Sequence, residues 1–146
     1  MNAKEFLSQA YKLDAQIVSK TEMIASLNEE AQRCTSALDG MPHSPDIRKS
    51  PMEEAVGKIL DLQIQVGKDL DRLLTVRSQI INVIDSIENP DYRLLLEKRY
   101  ICGNTWREVA IKMNYDKRWI QRMHEKAIAV VQERLTFRFP EYAQKN

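Results

Sequence analysis

Residues 106–125 read WREVAIKMNYDKRWIQRMHE. Apolar residues lie at the fourth, eighth, tenth, fifteenth and eighteenth positions of this stretch. The small side chain of Ala110 lets a second helix cross closely, and Asn114 can take the left-handed conformation that a tight turn needs. Ile120 is placed to fill the gap between two helices. This spacing predicts a helix-turn-helix, a motif whose second helix fits the major groove of DNA.

Positive charge is concentrated in the C-terminal part of the chain. Residues 90–146 hold twelve Lys and Arg against seven Asp and Glu, whereas residues 1–89 hold ten against fourteen. The net charge of +1 for the whole chain therefore hides a basic C-terminal segment. Basic charge collected in one segment is typical of proteins that bind polyanions. Ordinary surface scatter is the alternative, and the helix-turn-helix spacing makes it the weaker interpretation.

The composition favours long helices. Four glycines and five prolines interrupt 146 residues, of which 29% are charged. The chain starts without a cationic stretch followed by an apolar run, and no apolar run approaches the length of a membrane span. We therefore expect a cytoplasmic protein without membrane contact. Cys34 and Cys102 are far apart in sequence, and we expect two reduced thiols packed as small apolar groups.

The N-terminal part predicts two long helices of nearly equal length. Residues 3–38 carry apolar side chains at alternating steps of four and three once Lys20 is included, which is the heptad pattern of a coiled coil with one polar interruption. Residues 39–50 contain two prolines and predict a linker. Ser50 and Pro51 then form a helix start, with a capping hydroxyl before a proline at the first helical position. The second helix is expected to run to about residue 88.

The second helix repeats the heptad pattern. Its predicted seam consists of Met52, Val56, Ile59, Gln63, Val66, Leu70, Leu73, Arg77, Ile80, Ile84 and Ile87. Two equal helices joined by a short linker predict an antiparallel hairpin, in which Lys20 faces Asp71 and Arg77 faces Asp14. Further apolar residues lie off this seam, so we expect a homodimer in which a second hairpin covers some of them. The alternative is a monomeric hairpin with an exposed apolar flank.

The C-terminal part predicts shorter helices with well-marked starts. Asn89 precedes a proline, which again predicts a capped helix start. Thr105 and Glu108 have the spacing of a capping box, and Asp116 can cap the last helix, which is expected to run to about residue 135. The aromatic tail at residues 136–142 is expected to fold back on the core.

These patterns together predict an all-α protein with two domains. Residues 1–89 are expected to form a helical-hairpin coiled-coil domain, and residues 90–146 a helix-turn-helix DNA-binding domain. The sequence contains no glycine-rich phosphate loop, no cluster with metal-ligand spacing and no nucleophile with a recognisable base. We therefore expect no enzyme, no catalytic residue, no metal and no cofactor.

The last predicted helix has two chemically different faces. The apolar residues expected to pack inward are Ile120, Met123, Ala127 and Ile128. The other face is polar from the first turn onward, where a recognition helix meets base edges. Arg118 can pair with guanine and Gln121 with adenine, while the cations beside them suit phosphates. The predicted DNA-binding residues are Thr105, Arg107, Lys112, Lys117, Arg118, Gln121, Arg122 and Lys126.

Three ring-bearing residues of this segment have separate expectations. Trp106 is expected in the core. Trp119 can either contact DNA or pack against a neighbouring helix. His124 has no cysteine, aspartate or second histidine at ligand spacing, so we expect a surface or phosphate contact and no metal.

Residues 92–128 resemble the fourth region of primary bacterial sigma factors, which reads the upstream promoter element. The resembling segments are LLEKRY at 95–100, TWREVA at 105–110 and the stretch 118–128, which ends in HEKAI. The whole chain also resembles small phage and prophage proteins of Gram-positive bacteria, called ArpU-like or sigma-like late-gene regulators. These proteins join a helical hairpin to a sigma-like end. The resemblance implies transcription regulation through double-stranded DNA, and it raises RNA polymerase as a second partner.

The chain departs from the sigma pattern in three respects. Asn114 stands where a turn glycine is usual, and Trp119 stands where an arginine is usual. No segment corresponds to the sigma region that melts the promoter. The resemblance therefore implies DNA binding without the full activity of a sigma factor.

Three functions fit the sequence. The first is a dimeric, sequence-specific transcriptional regulator of a phage or prophage. The second is a DNA-packaging protein that resembles a small terminase subunit, which would form a ring of about eight or more subunits. The third is a module that binds RNA polymerase without binding DNA on its own. Mass in solution separates the first two, and binding to duplex DNA alone separates the third.

Overall fold

The computed structural model describes residues 1–38 and 50–144, and this part of the chain is helical without strands. Five α-helices and two short turns of other helical types succeed one another in sequence. They are α1 (Ala3–Leu38), α2 (Pro51–Asp85), α3 (Pro90–Leu96), a π turn (Glu97–Ile101), α4 (Trp106–Met113), α5 (Lys117–Phe137) and a 3-10 turn (Pro140–Ala143). The predicted all-α class is confirmed. The predicted linker at residues 39–49 lies outside the described residues.

The helices begin where the sequence offers side-chain caps. The Ser50 hydroxyl accepts a hydrogen bond from the Glu53 amide at 3.2 Å, ahead of the proline that opens α2. The Asn89 side chain accepts from the Asp91 and Tyr92 amides before α3. Each cap supplies a partner for backbone donors that a helix cannot satisfy by itself. Both predicted starts are confirmed.

Contacts divide the chain into two compact units. One unit comprises Met1–Leu13 and Leu73–Asn146, and the other comprises Asp14–Arg72. The predicted domains, 1–89 and 90–146, divide the chain at a different place. The difference arises because the N-terminal turns of α1 and the C-terminal turns of α2 pack with the shorter helices α3, α4 and α5.

The first unit has a continuous apolar core. Its fully buried large side chains are Phe6, Leu7, Ile80, Val83, Ile84, Ile87, Leu95, Leu96, Val109, Ile120, Val131 and Leu135. The first and last helical turns meet here, since the N-terminal ammonium donates to the carbonyl of Ala143 at 3.2 Å. The Tyr142 ring stacks on Phe139 and on Phe6, with ring centroids 5.3 and 6.2 Å apart. The prediction that the aromatic tail folds back on the core is confirmed.

In the second unit, residues of α1 and α2 contact each other. The Lys20 ammonium lies 2.6 Å from Asp69, in a partly buried ion pair. The predicted partner of Lys20 was Asp71, two positions later. Leu27 of α1 and Leu62 of α2 line one groove. Residues later in α1 thus meet residues earlier in α2, which is an antiparallel relation.

The buried positions of α2 correct the predicted seam. Ile59, Leu73 and Ile80 are buried as expected, but Met52, Val56 and Leu70 are exposed. The buried apolar residues of α2 are Ala55, Ile59, Leu62, Leu73, Val76, Ile80, Val83 and Ile84. Together with the partly buried Val66 and Asp69, the buried residues from Ala55 to Val83 keep alternating steps of four and three, shifted by one residue from the predicted seam at every second position. The helix is therefore rotated by a fraction of a turn from the predicted orientation.

Two further features of the described residues bear on the predictions. None of the helices at 3–38 and 51–137 has a stretch both long and apolar enough for a membrane span. Cys102 is a free thiol and is exposed, so the prediction that it packs as a small apolar group is wrong. The reason is its place at the end of the π turn, immediately before Gly103, where the chain leaves the helix.

Candidate nucleic-acid interface

Helix α4 starts at a complete capping box. The Thr105 hydroxyl accepts from the Glu108 amide and the Glu108 carboxylate accepts from the Thr105 amide, each at 3.2 Å. This reciprocal pair satisfies two backbone donors and fixes the direction in which the eight-residue helix leaves. Of the α4 side chains, Val109 is fully buried and anchors the helix on the core.

A three-residue turn joins α4 to α5. Asn114 ends α4 in the left-handed conformation, with φ 58° and ψ 38°, as predicted. The Tyr115 amide then donates to the Ala110 carbonyl at 3.1 Å, which closes the turn. The Asp116 carboxylate accepts from the Trp119 amide at 2.7 Å and caps α5. The left-handed Asn114, the Tyr115 hydrogen bond and the Asp116 cap restrain the backbone of all three turn residues. The turn therefore gives the two helices a defined relative orientation.

Helix α5 separates buried apolar residues from exposed polar residues. Ile120, Met123 and Ala127 are buried, as predicted, while Ile128 is only partly buried. The exposed polar residues of its first three turns are Lys117, Arg118, Gln121, Arg122, Glu125 and Lys126. Four of these six side chains are cationic, one is an amide and one is a carboxylate. The exposed face of α5 is therefore a positively charged ridge that begins at the helix N-terminus.

The eight predicted DNA-binding residues are all exposed. Two of them already have polar contacts within the protein. The Lys112 ammonium donates to the side-chain carbonyl of Asn104 at 3.0 Å, which uses one of its three donors. Thr105 keeps its hydroxyl proton free, but the Glu108 carboxylate stands beside it. A carboxylate at this position opposes phosphate binding, so Thr105 is the weakest of the eight candidates.

Trp119 lies at the edge of the charged face. About half of its side chain is exposed, and its ring lies 6.2 Å from Tyr115 in a tilted arrangement. Trp119, Arg122 and Lys126 line a cavity of about 250 Å³ together with Asn89 and Tyr92. A flat aromatic surface and two cations thus share one depression beside the exposed face of α5.

The sequence reasoning missed a cluster of rings behind this face. The Trp106 and His124 rings form a T-shaped pair with centroids 4.5 Å apart, and the Arg99 guanidinium lies 4.5 Å from the Trp106 centroid. The Tyr100 hydroxyl is 2.7 Å from Nε2 of His124. Trp106 is half-buried, so its predicted core position is corrected: it lies between a cation and an imidazole. We call Arg99, Tyr100, Trp106 and His124 the ring cluster.

His124 is held neutral by its surroundings. Burial lowers its pKa to about 4, with smaller contributions from the positive charges of Lys4 and Arg99. A neutral ring can accept a hydrogen bond from the Tyr100 hydroxyl through Nε2. The expectation of a surface or phosphate contact is therefore corrected, because a neutral, half-buried imidazole adds no charge to the interface. Among the described residues, no group of three His, Cys, Asp or Glu could hold a metal ion.

This pKa has a consequence for stability. In the unfolded chain the histidine pKa is near its ordinary value of 6.5, so the unfolded state takes up a proton before the folded state as the pH falls. The stabilisation is complete above the unfolded pKa and is lost as the pH falls toward 4. We expect a loss of roughly 1–2 kcal/mol, reduced for the exposed part of the ring.

Chemical unfolding at a series of pH values measures this effect. Carboxylates also titrate in this range, so the informative quantity is the difference between the wild type and His124→Gln. Relative to that of His124→Gln, the free energy of unfolding of the wild type should fall as the pH is lowered. Tyr100→Phe removes the hydrogen bond but keeps the buried ring, and should retain the trend. Parallel curves for the wild type and His124→Gln would show that His124 does not titrate as described.

A scan against family models, a search of curated proteins and a search of solved structures each found no match to this chain.

Proposed function

We propose that this chain is a sequence-specific regulator that binds double-stranded DNA through α4 and α5 as a helix-turn-helix. The observation that carries the proposal is the exposed polar face at the start of α5, opposite Ile120, Met123 and Ala127, which are buried. The apolar face of such a helix packs on the core, and its polar face is open to solvent. These are the requirements for a helix that enters a major groove.

The exposed residues divide into two roles. Arg118 and Gln121 lie one turn apart at the N-terminal end of α5, where side chains reach base edges. An arginine can donate two hydrogen bonds to guanine, and a glutamine can pair with adenine. The remaining cations are suited to phosphates on either side of the groove, where they contribute affinity and orientation. They are Arg107, Lys112, Lys117, Arg122 and Lys126.

Charge supports a nucleic-acid partner over a protein partner of mixed charge. The segment 90–146 holds twelve basic and seven acidic residues. The ring cluster adds no positive charge through His124, because that ring is neutral at physiological pH. The positive charge of the interface thus comes from lysine and arginine, whose charge does not vary between about pH 5 and pH 9. DNA binding is therefore expected to depend strongly on salt and weakly on pH in this range.

The N-terminal helices complete the proposed arrangement. We infer that α1 and α2 form the antiparallel hairpin and that two copies associate through it. The ion pair of Lys20 with Asp69 and the groove shared by Leu27 and Leu62 support the antiparallel relation. Exposed apolar side chains on α2, such as Leu60 and Ile64, support association. The resemblance to sigma-like late-gene regulators places such a regulator in the cytoplasm, in a phage or prophage setting, with RNA polymerase as a second partner.

Selection from random duplexes tests the proposal. The purified full-length chain should enrich one sequence motif, and its affinity for that duplex should fall steeply with salt. Each neutralised phosphate contributes a slope of about −0.9 in a plot of log affinity against log salt. Lys126→Gln should lower the magnitude of the slope by about one per copy.

The control substitution is Lys12→Gln, an exposed lysine on α1, which should leave the slope unchanged. If no sequence motif is enriched and the chain still binds RNA polymerase, the proposal is wrong and the chain is a polymerase-binding module.

A further inference from the structure

We propose that two copies of this chain pack antiparallel through one face of α2, formed by Gly57, Leu60, Ile64 and Gly67. We call these four residues the α2 outer face. The inference deepens the dimer included in the proposed function and rests on that part of it. It does not depend on DNA binding, because the residues involved all belong to the unit Asp14–Arg72.

The α2 outer face lies opposite the side of α2 that packs on α1. Ala55, Ile59 and Leu62 are buried, whereas Leu60 and Ile64 are 54% and 59% exposed. At 100° per residue, Ile64 points away from Leu62 by most of a half-turn. More than half of each of these two aliphatic side chains stays exposed, and that part contributes nothing to folding of the single chain. Such a row is typical of a surface that is covered by a partner.

The two glycines give a second and independent reason. Gly57 and Gly67 lie in the interior of a 35-residue helix, and a Cβ added at either position would meet nothing within 4 Å. No contact within the chain therefore requires a glycine at either site. Glycine inside a helix is also less favourable than alanine, by about 1 kcal/mol. Close approach of a second backbone is one physical reason for a glycine in such a place, and a crossing partner helix would supply it.

The spacing of the α2 outer face fits helix pairing. Positions 57, 60, 64 and 67 are separated by three, four and three residues, which is the alternation of a coiled-coil seam. The row ends at Asp71, so the apolar contact is short. A short seam is expected to give a dimer that dissociates at low protein concentration.

One antiparallel register pairs Ile64 with a glycine and also brings opposite charges together. When Ile64 packs on the partner's Gly67, two-fold symmetry places Gly67 against the partner's Ile64. Ile64 then meets a position without a side chain, and Leu60 lies opposite the partner's Asp71, where the apolar row ends. In the same register the flanking Asp61 lies beside the partner's Lys68, and Lys68 beside the partner's Asp61. A parallel register would instead stack glycine on glycine and would leave both charges without these partners.

The two flanking charges are available for this pairing. Asp61 and Lys68 are exposed and, within the described part of the chain, neither makes an ion pair or a side-chain hydrogen bond. Opposite charges at these flanking positions select the partner and the orientation in helical pairs. The partner that this surface fits is therefore a second copy of the chain.

Charge reversal tests the register. The dimer dissociation constant of the full-length chain is measured by sedimentation without DNA. Asp61→Lys or Lys68→Asp alone replaces two attractive pairs by two repulsive ones and should weaken the dimer by about tenfold. The double variant restores both pairs and should return to within about threefold of the wild type. Single variants that weaken the dimer without recovery in the double variant would overturn the antiparallel register.

Gly67→Leu tests the close approach. On a free helix surface leucine would stabilise the chain, because its helix propensity exceeds that of glycine. Within the proposed interface it collides with the partner's Ile64, so the variant should be monomeric with undiminished helix content. Ser19→Leu, an equally exposed site on α1, is the control and should remain dimeric.

Three results would overturn the inference. The first is a wild type that stays monomeric up to about 100 µM, which is well above the micromolar range of weak association. The others are an assembly the size of a ring and a dimer that Gly67→Leu leaves intact. A dimer that responds to these substitutions but binds no DNA would sustain the inference and refute the proposed DNA binding.

Discussion

Replacing Arg118 and Gln121 together by alanine is expected to remove the preference for the selected duplex over a scrambled one. Both side chains are exposed on the first turns of α5, so the fold should be unaffected. Each good pair with a base edge contributes about 1–3 kcal/mol of discrimination. Loss of two such pairs should lower the specificity ratio by roughly a hundredfold or more. Binding to nonspecific duplex should weaken only modestly, because one positive charge is lost.

Competition binding with the two duplexes at one fixed salt concentration measures this result. Two control variants separate base reading from charge and from general damage to α5. Lys12→Ala removes one positive charge on α1, and Glu133→Ala changes an exposed residue later on α5. Both should keep the specificity ratio of the wild type. If the Arg118 and Gln121 double variant also keeps that ratio, α5 does not read sequence, and the assignment of these two residues is wrong.

Most of the interface geometry could be predicted because it depends on neighbours in sequence. The capping box at Thr105, the left-handed Asn114 and the cap at Asp116 each act within four residues. Short-range hydrogen bonds and backbone sterics decide such features, and both are visible in the sequence. The exposed face of α5 is determined once its start is fixed, since the helical repeat then assigns every side chain to a face.

The orientation of α2 could not be predicted in the same way. Its sequence carries two overlapping apolar rows that share Ile59, Leu73 and Ile80. One row continues through Leu62 and the other through Leu70, and the heptad rule accepts both. The partner surface decides which row is buried, and that surface is a tertiary property. Leu62 is buried and Leu70 is exposed.

The ring cluster was missed for a different reason. The Cys102 amide donates to the Glu97 carbonyl, five residues back, so the helix after α3 widens into a π turn. One extra residue in a turn rotates the subsequent residues by about 100° relative to a regular α-helix. Arg99 and Tyr100 face Trp106 and His124 because of this π turn. No residue in the sequence indicates that a π turn forms here. Rings and a cation at irregular spacing were the only available signal.

The packing partners of the N-terminal residues were also not predicted. The sequence pattern continues through residues 3–38 without a break, which suggests that all of α1 packs on α2 alone. In the structure the Ala3 amide donates to the Gln132 side chain of α5 at 2.9 Å. Phe6 and Leu7 join the core that also contains Ile120. The start of α1 therefore supports the candidate interface from behind.

This support predicts a large effect at Ile120. The side chain is fully buried in the core behind the exposed face of α5. Ile120→Ala removes buried apolar surface and leaves a cavity, which should lower the free energy of unfolding by about 2–5 kcal/mol. Native domains are stable by only about 5–15 kcal/mol, so a substantial fraction of the stability would be lost. Chemical unfolding followed by helix content measures the change.

Ile111→Ala is the matched control, because it makes the same chemical change on α4 at a side chain that is 66% exposed. Its expected effect lies within about 0.5 kcal/mol, since the better helix propensity of alanine offsets part of the loss of the methyl groups. DNA binding should respond differently to the two substitutions. Ile120→Ala should bind normally at low temperature and lose binding as it unfolds, since the exposed side chains of α5 are intact. Equal stability losses at the two positions would mean that Ile120 is not the anchor of the interface.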